Sequence, residues 1–156
     1  RRDAARAPEG WAAARAAERI SERQLNELTK NLAKSAALVA RVRDSGKSVA
    51  DKTTAKKFHA LDLGFHMTII EASRNRRMLK VVGDSHILTR IFHADRHAFK
   101  LDILETTQKE HLAISEAIQS RNTTLSQETM QRHIRNSLDL TLSEADHDST
   151  DRWWAE

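Results

Sequence analysis

An all-helical bundle is the fold class the 156-residue sequence predicts, and three observations predict it. Four glycines and a single proline leave few positions for turns. Good helix formers, chiefly Ala, Leu, Arg, Lys and Glu, fill most of the chain. Apolar residues recur at three-and-four spacing in one segment after another, the period of a helix with one buried face. A chain of this length forms one compact domain with enough residues to bury a core.

In chain order, Arg1 to Ala7 read as a tail, and Pro8 suits the first turn of a helix running to about Arg19. Ser21 with Gln24 three residues on makes a capping box. It opens a helix whose Leu25, Leu28, Leu32, Ala36, Val39 and Val42 form a buried stripe, ending near Arg43. The stretch Asp44 to Lys47 is a loop in which Gly46 can take a left-handed conformation. A central helix follows from roughly Asp51 to Ser73. Asn75 ends it and caps a fourth helix, expected to run from Arg76 to about Phe99 with Met78, Val81, Val82, Leu88, Phe92 and Phe99 as its apolar stripe. A fifth helix covers about Leu104 to Ser120, with Leu104, Thr107, His111, Ile114 and Ile118 in one seam. Asn122 or Thr123 caps a last helix whose Met130, His133, Ser137 and Leu140 share a face, widened by Ile134 and Leu138. Residues 8–147 thus form the expected domain, and 148–156, with Trp153 and Trp154, a C-terminal tail.

The central helix carries the chemistry. Asp62 and His66 lie four residues apart on one helix face, beside the stripe of Phe58, Leu61, Phe65, Ile69 and Ala72. His111 and His133 fall on apolar faces of two other helices. A single histidine in such a position is more often a hydrogen-bonded core residue than a ligand, but one carboxylate and three imidazoles together can hold a metal ion. A nitrogen-rich set suits zinc, nickel, cobalt, iron or manganese, whereas calcium and magnesium prefer oxygen shells. Arg90 shares a polar stripe with His86, His93 and His97; it is the candidate to grip a bound carboxylate bidentately. His93 and His97 have no third ligand placed to complete a second site and read as surface residues, and His59 as a plain helix-face residue. Glu110 directly precedes His111 and is rotated about 100° from it, which leaves no evident general acid or base at the site.

Composition removes other classes. Without cysteine there is no disulfide framework, thiolate metal site or cysteine nucleophile. No run of about 18 apolar residues and no signal-peptide pattern is present, so the chain reads as soluble and cytoplasmic, with no membrane partner. The net charge of +4 and pI near 9.7 come from basic residues interleaved with acids, without the dense basic block or aromatic interleaving of a nucleic-acid-binding face. The solitary Glu-x-x-His, Glu144 to His147, disfavours a di-iron carboxylate bundle, which uses two.

These residues carry a resemblance. D-x-x-F-H as Asp62, Phe65 and His66, then Glu71 to Asn75, Glu110-His111 with Ile114 and Ala117-Ile118, and Met130 with His133-Ile134, resemble the FCD effector-binding domain of GntR-family transcription regulators of the FadR subfamily. The likeness spans about Trp11 to Asp146, with Asn122 where an aspartate is common. It implies an antiparallel bundle of six or seven helices around a central metal and ligand cavity, with Asp62, His66, His111 and His133 as the metal ligands. It also implies a small carboxylic-acid effector, a homodimer, and DNA contacts through a winged helix-turn-helix that this sequence does not contain. The chain is therefore expected to be part of a longer regulator and not an enzyme. The alternatives are a metalloenzyme acting on a small carboxylate and a domain that responds to the metal itself.

Overall fold

The computed structural model describes residues 8–93 and 99–148, and side chains within 8–84 and 99–140. Among the described residues six helices follow in order: α1 (Pro8–Arg19), α2 (Glu22–Asp44), α3 (Lys52–Ala72), α4 (Arg76–His93), α5 (Leu101–Gln119) and α6 (Thr123–Asp148). The predicted caps set the boundaries. Ser21 accepts from the Gln24 backbone N–H at 3.2 Å while the Gln24 side chain accepts from the Ser21 N–H at 3.1 Å, completing the capping box. Asp51 accepts from Thr54 N–H at 2.7 Å and opens α3; that backbone hydrogen bond holds its carboxyl below the usual range. Asn75 and Asn122 do the same for α4 and α6, accepting from Met78 and Leu125. Gly46 adopts φ +70° after α2, as its place in the loop required.

The fourth helix is described as far as His93, residues 94–98 lying outside the described residues. Phe99 is not helical: its carbonyl accepts from Ala50 N–H at 2.9 Å, and Ser48 accepts from Leu101 N–H at 2.8 Å around an isolated Val49–Lys100 bridge. This pairing ties the α2–α3 connection to the start of α5, and a contact so distant in sequence overrides a local apolar pattern. His97 lies outside the described residues, as do Trp153 and Trp154.

Helix α1 packs against α3, α5 and α6; α2 packs against α3 and α5; α4 lies on α3. The buried face of α1 is Ala12, Ala13, Ala16 and Ala17, small side chains that let it approach α6 closely. Two arginines stitch its end. Arg19 donates to the Ser73 carbonyl beyond α3, and Arg121 donates to the Ala17 carbonyl in the last turn of α1, both at 3.2 Å. The main core joins Ala13, Ala16 and Ile20 to Leu28, Leu32, Phe65, Ile69, Ile114, Ile118 and Met130. Most stripe positions are buried, with local departures. In α2 Ser35 turns inward and Ala36 is exposed, because 28, 32, 35, 39 and 42 follow the helical period more closely. Val81, Leu138 and Leu140 are exposed.

Candidate metal centre

Three helices bring the four predicted donors together. Asp62 and His66 come from α3, His111 from α5 and His133 from α6, with one ligand atom of each within 4.8 Å of all the others. The Nε2 atoms do the converging: His133 to His66 and His133 to His111 are each 3.2 Å. Asp62 Oδ1 stands 3.4 Å from His111 Nε2 and 3.8 Å from His66 Nε2. The histidines are 2–4% exposed and Asp62 24%, so the carboxylate marks the side from which the cluster is reached.

The donor set and its spacing fit a transition-metal ion. Ligand bonds of about 2.1 Å separate neighbouring donors by roughly 3.0 Å at right angles and roughly 3.4 Å in a tetrahedron. Of the six donor pairs, four are separated by 3.2 to 3.8 Å, within or slightly beyond that range, and all lie within 4.8 Å. Protonation favours the same conclusion. Burial, reinforced by His133, holds His111 well below the usual histidine range, and a neutral imidazole is the form that coordinates. Phe65 stacks flat on His111, with ring centroids 4.1 Å apart and planes at 10°, which fixes the plane of that ring.

Two residues join the site that the sequence pattern did not assign to it. Glu110 reaches across to α6, its Oε2 2.6 Å from His133 Nδ1 and its Oε1 accepting from the Asn136 amide at 2.5 Å. Burial acts to raise its carboxyl, but these two hydrogen bonds, with the charges of His133 and Arg132, outweigh it and hold the group below the usual range. The rotation away from His111 is therefore a rotation towards His133. Its signal was present in sequence: Ile103 and Ala117, seven residues to either side of Glu110, mark a seam of α5 distinct from that of His111. A groove of about 530 Å³ between α5 and α6 includes Asn136 in its wall and none of the four donors.

Of the other singled-out residues, His59 packs its ring edge-on to Phe99, 6.3 Å between centroids. Arg90, His86 and His93 lie on α4, where only the backbone is described.

A family model for the FCD domain matches residues 3–136, and the chain belongs to that family, the C-terminal effector-binding domain of GntR-type regulators. Comparison with curated proteins returns no match. Among the described residues, no helix is long and apolar enough to cross a membrane.

Proposed function

We propose that this domain senses a small organic acid through a divalent transition metal, most naturally zinc, held by Asp62, His66, His111 and His133. The observation that carries the reading is the convergence of four donor atoms from three helices inside a buried core. When bound, the ion supplies a positive, Lewis-acidic contact for the carboxylate of the effector. Arg90 is the proposed partner for the second carboxylate oxygen, from its place on α4, the helix that lies on α3.

The response follows from where the donors sit. Helix α1 packs on α3, α5 and α6, the three helices that supply the ligands, and it is the helix nearest the start of the chain. A change in their spacing is transmitted to α1 and from there to a DNA-binding domain preceding it, in a homodimer. For the acid to switch the protein, it must bind one packing arrangement more tightly than the other.

Native mass spectrometry of the protein purified without chelator tests the reading first. One metal ion per chain, with added acid retained only by the metal-loaded form, is the expected result. A chain that fails to take up zinc or nickel overturns the metal centre; acid bound equally well by metal-free protein overturns the role of the ion.

A further inference from the structure

We infer that Glu110 is a positioning residue for the metal centre: buttressed by Asn136, its carboxylate locks His133 in the tautomer that turns a bare Nε2 towards Asp62, His66 and His111. This rests on the metal reading above and adds a residue to it.

The geometry is specific. An ionised carboxylate only accepts hydrogen bonds, so the nitrogen 2.6 Å from Glu110 Oε2 must carry the proton. That nitrogen is Nδ1. Neutral imidazole has one N–H, so the lone pair is left on Nε2, the atom 3.2 Å from the Nε2 atoms of both His66 and His111. Without Glu110, His133 Nδ1 loses the acceptor that holds its proton there. A proton on Nε2 instead would point into the donor cluster and block coordination.

The carboxylate is itself held in place. Its second oxygen is taken by Asn136, one turn beyond His133 on the same helix, so both oxygens of one α5 side chain are fixed by two α6 residues. Glu110 is 17% exposed and His133 4%, which limits competition from water. A carboxylate behind a coordinating histidine also makes the imidazole a stronger donor. A simple tie between α5 and α6 needs none of this polarity of arrangement, and the two roles separate by experiment.

The test compares wild type with Glu110→Ala and Asn136→Ala in two measurements. Long-range proton–nitrogen correlation spectra of the metal-free protein read the His133 tautomer, and zinc affinity is read by competition with a chromophoric chelator. Wild type is expected to show the proton on Nδ1. Glu110→Ala is expected to shift the proton towards Nε2 and to weaken zinc binding about tenfold to hundredfold. Asn136→Ala, which leaves the carboxylate in place, is expected to shift both in the same direction by less, and it carries the test if Glu110→Ala does not fold. An unchanged tautomer in the folded variants, or a switched tautomer with unchanged zinc affinity, overturns the proposal. If wild type takes up no zinc, the metal reading falls by itself, while the spectra still decide whether Glu110 sets the His133 tautomer.

Discussion

Two adjoining regions of the bundle interior are built from opposite chemistry. On one side, Ala13, Ala16, Ile20, Leu28, Ile69, Ile114, Ile118 and Met130 form an apolar cluster. On the other, Asp62, His66, His111 and His133 gather with Glu110 behind them. Burying apolar area stabilises the fold in proportion to that area. Burying titratable groups costs stability unless each is paired, so the proposed ion accounts for a cluster of four better than packing does. Phe65 belongs to both regions, fully buried in the apolar core and stacked on His111.

The sharpest break in this comparison is therefore Phe65→Ala. Removing a fully buried phenylalanine should lower stability by about 3–5 kcal/mol, measured by denaturant unfolding of the metal-free protein. Zinc affinity should fall as well, because the His111 ring loses the surface that fixes its plane. A folded variant with wild-type affinity would show that the apolar layer does not orient the site.

His111→Leu makes the polar region resemble its neighbour. Loss of one ligand should weaken zinc binding by more than about a hundredfold, or roughly 2.7 kcal/mol, in a competition titration. The same change should leave the metal-free protein as stable as wild type or more so, since it replaces a desolvated imidazole by an apolar side chain of similar size. A large loss of apo stability would mean that His111 is structural.

Acid separates the regions without mutation. His111 in the folded protein is held below the ordinary histidine value, so below about pH 6.5 the unfolded chain binds a proton that the folded state resists. This contribution leaves stability unaffected above that pH. Below it, stability falls by up to about 1.4 kcal/mol per pH unit until the folded imidazole itself protonates. Thermal melts of the metal-free protein between pH 7.5 and 5 should show this decline in wild type and a shallower one in His111→Leu. Equal slopes would place the acid sensitivity on other groups.

The two regions were not equally legible in the sequence. Capping residues act within a few positions, so Ser21, Asn75 and Asn122 marked helix starts correctly. Inward-facing spacing likewise picked out Asp62, His66, His111 and His133, which the structure brings together, because each helix face is a local property. That Phe99 departs from the helical pattern depends on the pairing of Val49 with Lys100 beside it, a contact that spans about a third of the chain in sequence. The role of Glu110 depends on how α5 and α6 lie against each other. A helix wheel shows that Glu110 and His111 face different ways; only the packing shows that the first of those directions meets His133.

The smallest effect tests the tightest contact, the one nearest the proposed route from the donors to the start of the chain. A Cβ added at Gly10 would lie 2.6 Å from Gln131 Cγ, and Gln131 is two residues before His133. In an open helix, alanine in place of glycine stabilises by about 1 kcal/mol. Here the added methyl must displace a side chain near its root, and overpacking of this kind costs about 1–3 kcal/mol. Gly10→Ala should accordingly be neutral to destabilising by about 2 kcal/mol in the wild-type background. Together with Gln131→Ala, which clears the contact, the same substitution should become stabilising by about 1 kcal/mol. Urea unfolding of the four proteins in a double-mutant cycle measures the reversal. A change of the same sign and size in both backgrounds would show that α1 and α6 give way easily at this point, and that movement at His133 need not reach α1 there.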